Sequence, residues 1–321
     1  SCDLKRNYDN LEASFDLWKG ESDAEPYIKG MIEDLLKQGY AYESQGAIIV
    51  DVAMETDNKE IPPCMIQKSD GAYDYATSDI ATILEGNKLY QPDEYIYVVD
   101  KRQEMYFTQV FRTVKKTKIV NEDAVLTFLG FGTMCGKDGK PFKTRDGGVQ
   151  RLETLITEVE EAVYSKIMDN RRMEEEDAKG ISKIVGLAAL KYGDLSNKLS
   201  KDYVFDPERF SSFEGDTGPY ILYTIVRIKS IISKYEEMSG IKVHQGFEIN
   251  KEDLLIKQNE VDLMMALSKY IDVIQNAEKE NAPHRICQYV YEVANSFNTF
   301  YHDNKIITEE DKNRQSRWIG L

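Results

Sequence analysis

The chain has 321 residues, with 41 Lys and Arg against 56 Asp and Glu, a net charge of −15, and 41% apolar and 11% aromatic residues. That length suits about two domains, and the apolar share supports packed cores, which excludes a disordered chain. Cys2, Cys64, Cys135 and Cys287 and the three histidines lie far apart, against a disulfide framework or tightly bound metal, and the acidic balance argues against nonspecific coating of nucleic acid.

In chain order, Ile28, Met31, Ile32, Leu35 and Leu36 fall at i, i+3, i+4, i+7 and i+8, which predicts an amphipathic helix over 24–39 ending at Gly39. Strands are expected at 47–52, 95–99 and 125–131. The run Y-I-Y-V-V at 95–99 is apolar on both faces, the pattern of a buried parallel strand. Helices are expected at 77–85 and, as a crossover, at 103–116, so the N-terminal half reads as α/β. After Gly148 strand signals vanish. Helical stripes run through Val149, Leu152, Leu155, Ile156, Val159, Ala162 and Val163, through Ile184 to Lys191, and over 221–232, 254–274 and 283–301, where Pro283 suits a first turn. The loop 198–218 is the expected hinge. No apolar run approaches the ~18 residues of a bilayer span, and the first ten residues are unlike a secretory leader, so a cytoplasmic protein without membrane contact is expected.

Two segments carry chemistry. Between Gly136 and Gly148, Lys137, Lys140, Lys143 and Arg145 sit among glycines after a strand, a loop able to wrap polyphosphate and to neutralise a leaving pyrophosphate. A solvated surface turn explains the composition equally well, and no Walker loop is present. In D-G-A-Y-D-Y-A-T-S-D at 70–79, Tyr75 and Asp79 are four apart, which on a helix sets a phenol and a carboxylate on one face, where a guanidinium could dock. Taken alone, acids at a helix start merely favouring the dipole are the commoner case.

Together the blocks 70–79, 136–148 with P-F-K-T-R, and F-E-G-D-T-G-P-Y at 213–220 resemble arginyl-tRNA synthetase in order and rough spacing. K-Y-G-D-L at 191–195, D-Y-V-F-D at 202–206 and the stretch from Pro283 to Tyr301 support the likeness, which covers essentially the whole chain. The resemblance implies α/β plus all-α architecture: the C-terminal part of a class I nucleotide-binding, Rossmann-like catalytic domain over 1–212, then a helical-bundle anticodon-binding domain over 213–321. It implies an enzyme that activates L-arginine with ATP, carrying Mg2+, and transfers the arginyl group to tRNA(Arg).

By position it assigns Tyr75, Asp79 and Gln103 to arginine, Phe131, Gly132 and Met134 to ATP, and Lys143, Arg145 and Lys140 to the phosphates. Tyr301, Tyr289 and Arg285 go to tRNA, and no residue to a metal. Two positions depart from the family pattern, Phe128 where a histidine is usual and Leu222 where a glutamine is common. No H-x-G-H signature occurs, the histidines being His244, His284 and His302. The chain therefore reads as a fragment lacking the first class I signature and the extreme C-terminus, inactive alone and prone to self-association, from a protein expected to be monomeric. The rival expectation is a non-catalytic arginine-sensing or tRNA-binding module derived from the synthetase.

Overall fold

The computed structural model describes residues 2–141, 151–169, 173–244 and 256–321. The chain divides into two compact units, Ser14–Thr133 on one hand and Ser1–Ala13 with Met134–Leu321 on the other. It opens with α1 (Cys2–Asn10), which belongs to the larger unit.

In the smaller unit, α2 (Glu25–Lys37) buries Ile28, Met31, Ile32 and Leu35, while Leu36 is exposed, so the apolar face is narrower than the spacing predicts. Gly39 takes φ +74° just past the helix, and the Tyr40 amide donates back to the Leu35 carbonyl at 3.0 Å, which satisfies an end carbonyl as a left-handed cap does. Strands β1 (Tyr42–Ser44) and β2 (Ala47–Val50) form a hairpin. Gln45 and Gly46 at its tip have φ of +50° and +82°, the two left-handed residues of a tight hairpin turn. Strand β3 (Cys64–Gln67) joins β2 antiparallel.

Next come α3 (Tyr75–Tyr90), β4 (Glu94–Asp100), α4 (Glu104–Lys116) and β5 (Val125–Phe131). β4 and β5 pair in parallel with α4 as their crossover, as expected. Tyr95 and Tyr97 face a core that includes Ile80, Ile83, Val110 and Val114. The opposite side of β4 is open, with Ile96 46% and Val98 57% exposed, which corrects the expectation of a buried strand. Helices cover one face of this pair and, among the described residues, not the other.

The larger unit continues with β6 (Met134–Cys135), α5 (Leu152–Asp169), α6 (Glu175–Leu195), β7 (Tyr203–Val204) and α7 (Pro207–Phe210). β6 and β7 pair in parallel, so the C-terminal half is not free of strand, although two residues are too few to show alternation. Leu155, Ile156, Val159, Ala189, Leu190, Phe205 and Phe210 form the core here.

A bundle follows: α8 (Gly218–Ser239), α9 (Gln258–Ser268), α10 (Tyr270–Lys279), α11 (Pro283–Asp303) and α12 (Lys312–Gly320). Its core is Ile231, Tyr235, Leu263, Phe300, Ile306, Trp318 and Ile319. The single helix expected at 254–274 is two, broken at Lys269, and its first two residues lie outside the described residues.

Candidate functional site

The block 70–79 first makes a turn and then a helix. Lys68 N donates to the Ala72 carbonyl at 2.9 Å, Ala72 N to Asp70 Oδ1 at 2.9 Å, and the Gln67 amide to the Gly71 carbonyl at 2.8 Å. Gly71 sits at φ +87°, a conformation that costs a side-chain-bearing residue strain. The turn delivers Tyr75 to the first position of α3, 73% exposed, and the buried Thr77 hydroxyl donates to the Ile66 carbonyl, tying the helix start to β3.

One helical turn on, Asp79 is half-buried and accepts a hydrogen bond from the Tyr106 hydroxyl of α4. Burial holds the Asp79 carboxyl above its ordinary range, against the pull of the Tyr106 hydrogen bond; burial and Asp79 together push the Tyr106 phenol up.

Gln103 ends the turn Lys101–Gln103 that follows β4, and is exposed. Asp100 caps that turn, accepting from Arg102 N at 2.8 Å and Arg102 Nε at 2.9 Å, which holds its carboxyl down at about 2. Gly130 on β5 lies against it: a Cβ there would stand 2.9 Å from Lys101 Cα, so a side chain would push the turn off the carboxyl end of the sheet. Tyr106 is three residues beyond Gln103 and bonded to Asp79, so α3 and α4 meet at this point.

Phe131, exposed, and Gly132, half-buried, follow one another at the end of β5. Met134 opens β6 and packs into the core around Leu155 and Phe205. Lys140 is exposed on a turn closed by Gly136 N to the Lys140 carbonyl at 2.8 Å, while Lys143 and Arg145 lie outside the described residues. Phe128 faces α4, its ring 5.9 Å from that of Phe107, and so belongs to an aromatic core in this chain. Leu222 is half-buried on α8. Among the described residues no group of three or more His, Cys, Asp or Glu could hold a metal ion, and no helix is long and apolar enough to cross a membrane.

In the bundle, F-E-G-D-T-G-P-Y caps α8. Thr217 Oγ1 accepts from Tyr220 N at 3.3 Å and donates to the Ser212 carbonyl at 2.6 Å. Gly218 is pressed against α6, where a Cβ would come within 2.3 Å of the Ala188 carbonyl oxygen. The Tyr220 hydroxyl donates to Asn295 Oδ1 at 2.9 Å and accepts from Asn298, which fixes α8 on α11.

Beyond this joint, the Arg227 guanidinium lies over the rings of Tyr223, at 4.7 Å, and Tyr301, at 5.0 Å, and donates to Asn298. Tyr301 is 38% exposed and stacks on Phe297. Tyr223 and Arg227 also line a cleft of about 570 Å3 with Phe213 and Met173. Of the other residues assigned to tRNA, Tyr289 is buried with its hydroxyl on the Leu267 carbonyl at 3.2 Å, and Arg285 forms a surface pair with Glu280 at 2.6 Å. Sequence reasoning missed Tyr106, Tyr223 and Arg227. The spacing of the last two, four apart on a predicted helix, was a usable signal.

The profile of the family described as "tRNA synthetases class I (R), catalytic domain" matches residues 1–207, and that of the "DALR anticodon binding domain" matches 221–319. Arginine–tRNA ligases from Agathobacter rectalis and Alkaliphilus oremlandii are each 52% identical to the chain over 99% and 100% of its length. The chain spans about half, 54%, of each of those relatives. Among solved structures, the arginyl-tRNA synthetase of Plasmodium falciparum superposes with a TM-score of 0.80 at 25% identity, covering 98% of this chain and 52% of that one. The Thermus thermophilus enzyme shares the fold, with a TM-score of 0.78 at 20% identity over 98% of this chain and 58% of its own.

Proposed function

The chain belongs to the class I arginyl-tRNA synthetase family, carrying class I catalytic and anticodon-binding parts, and from that premise we propose that it supplies the arginine pocket and the anticodon face of an arginine–tRNA ligase. In the whole protein the arginine carboxylate attacks the α-phosphorus of ATP, which arrives with its Mg2+, releasing pyrophosphate and leaving arginyl-adenylate. A terminal ribose hydroxyl of tRNA(Arg) then attacks the arginyl carbonyl and releases AMP. Positioning and charge stabilisation account for catalysis of this kind, without a nucleophilic side chain.

The observation that carries the reading is the half-buried Asp79 carboxylate one helical turn from the exposed Tyr75 ring, with Gln103 at the start of the neighbouring helix. A desolvated carboxylate is the strongest single partner for a guanidinium, and an aromatic ring can cover the cation. Gln103 follows the carboxyl end of β4, and Asp79 is tied to the helix that starts there through Tyr106, in keeping with ligand sites of open α/β sheets beyond the carboxyl ends of the strands. Phe131, Gly132 and Met134 are proposed for ATP, Lys140, Lys143 and Arg145 for its phosphates, and Tyr301 for tRNA. The catalytic part is proposed to run to residue 212 and the anticodon-binding part from 213. The whole protein is read as a cytoplasmic monomer.

L-arginine titrated into the chain, followed by the carboxyl signal of Asp79 in wild type and by heat in the Asp79→Asn variant, tests the pocket. Saturable binding lost in the variant supports it, and equal binding by both removes Asp79. The 321-residue chain alone is expected to be silent in arginine-dependent pyrophosphate exchange, because it contains no H-x-G-H signature to grip the ATP phosphates.

A further inference from the structure

Tyr106 ties the arginine pocket to an aromatic core. Its ring meets that of Phe107 edge-on, with centroids 5.0 Å apart at 88°, and Phe107 in turn packs against Tyr97, Phe111 and Phe128 at 4.9, 5.7 and 5.9 Å. Tyr106 itself is partly buried and packed against the core that includes Ile80 and Val110, which limits its rotamers, and from there its hydroxyl donates to Asp79 Oδ2. One oxygen of the carboxylate is thus anchored from α4, and Oδ1, to which no described residue donates, is open to a ligand.

We propose that Tyr106 is a positioning residue that holds Asp79 as the charged, acceptor-only partner of a guanidinium and so makes the pocket select arginine over its neutral isostere, citrulline. The proposal rests on the reading of Asp79 as the guanidinium partner. An ionised carboxylate offers only acceptors, which match the donors of a guanidinium. A protonated one offers a hydroxyl donor to the ureido oxygen of citrulline, and the distinction between the two ligands fades.

The groups facing this pair press toward that second state. Burial raises Asp79, and Glu21, from the turn before α2, adds to it; Tyr97 of β4 couples to Asp79, and Cys64 of β3 and Asp74 before α3 bear on Tyr106. None of these is a cation. The Tyr106 hydroxyl opposes them, since a hydrogen bond donated to the charged form favours that form.

Tyr106→Phe removes one oxygen and keeps the ring. With 13C at the aspartate carboxyls, the 321-residue chain reports the Asp79 titration directly. Loss of a hydrogen bond to a charged group is expected to weaken its acid dissociation by about tenfold to a hundredfold, moving the titration up by one to two pH units. Arginine binding, read at the same carbon, should then fail at correspondingly higher pH, and in the window between the two titrations the arginine to citrulline affinity ratio should fall by about tenfold; the melting temperature should lie below wild type above that window, as a raised folded-state carboxyl requires, and approach it below. A purely structural role would lower the melting temperature at every pH alike and leave the titration where it is.

An unmoved Asp79 titration in Tyr106→Phe overturns the proposal, and so does a moved titration with an unchanged ligand ratio. A wild-type Asp79 carbon that does not respond to saturating arginine overturns instead the reading of Asp79 as the guanidinium partner, whatever the Tyr106 variant does to its titration.

Discussion

The Arg227 guanidinium lies 5.0 Å from the Tyr301 ring centroid, which joins α8 to the end of α11 by a cation–π contact at the surface of the bundle. Tyr223 lies 4.7 Å from the same guanidinium, which gathers two rings and a planar cation at one place. Unpaired bases are bound by such platforms, which require a few exposed planes rather than a basic protein, and so suit a chain of net charge −15. Tyr301→Ala is expected to weaken tRNA(Arg) binding by about 1–3 kcal/mol, the cost of one stacked base. Its effect on melting should be small because the ring is 38% exposed. Filter binding and a melting curve on the same variant check both halves.

Tyr289 makes the control for that stack. It sits on the same helix but is buried, hydrogen-bonded to the Leu267 carbonyl and tilted against Tyr270 at 6.3 Å. Tyr289→Ala should cost about 3–5 kcal/mol of stability, as for other large aromatics emptied from a core. A melting temperature that stays at the wild-type value, with tRNA affinity reduced, would reverse the two assignments.

The difference between Tyr301 and Tyr289 also shows where sequence reasoning stops. Both rings recur at helical spacing, and periodicity says that a stripe exists, not which of its members the neighbouring helices cover. The elements with local signals were legible: the stripe from Ile28 to Leu35, the β-rich runs of β4 and β5, the Pro283 start of α11. The break at Lys269 was not, because residues 258–279 hold neither Gly nor Pro and their apolar period runs on. β6 and β7, two residues each, are defined by a partner across the chain. In the candidate site, the spacing of Tyr75 and Asp79 sufficed to place both on one helix, whereas their assignment to arginine, with Gln103, rests on the family resemblance. Tyr106 escaped since nothing local distinguishes a phenol that packs from one that also donates to a carboxylate on another helix.

Asp79→Ala should impair arginine binding more than Tyr75→Ala. The carboxylate is half-buried, so its removal leaves a guanidinium without its charge partner, a loss of about 2–5 kcal/mol for a desolvated pair. Tyr75 is 73% exposed and offers at most a cation–π contact worth about 0.5–2 kcal/mol. Arginine titrations of the two variants decide the order, and a larger loss for Tyr75→Ala would shift the centre of recognition to the ring.

The open side of β4 should govern association of the chain with itself. Ile96, Val98 and Val125 lie on one exposed face, and parallel sheets are ordinarily covered on both. Ile96→Lys with Val98→Lys places charge on that face, the device by which natural sheets avoid unwanted pairing. Light scattering over a concentration series is expected to show self-association of the wild-type chain and a monomer for the double variant. Equal behaviour of both would clear this face of the role.

Stability on acidification should depend on one buried pair. Glu260 of α9 is fully buried and accepts from Arg317 Nη2 at 3.2 Å and Trp318 Nε1 at 3.1 Å, both on α12, as well as from Arg317 Nε. Burial alone would raise the Glu260 carboxyl, but the hydrogen bonds from Arg317 and Trp318 prevail and hold it below its ordinary range. A carboxyl whose folded value is depressed contributes stability above the unfolded value, here 4.5, and loses that contribution as the pH falls through the folded value. The wild-type chain should therefore keep this contribution at pH 6 and shed it below about pH 4.5. Arg317→Ala leaves Glu260 buried without its cation, at a cost of about 3–5 kcal/mol near neutral pH. In that variant burial is opposed only by Trp318 and a backbone hydrogen bond, so the carboxyl rises from its wild-type value and protonation relieves it. The deficit against wild type should shrink as the pH is lowered from 7 toward 4. Urea midpoints of both proteins at pH 7, 5.5 and 4 measure that gap, and a gap that stayed constant across the three would mean that Glu260 is not the group that Arg317 keeps charged.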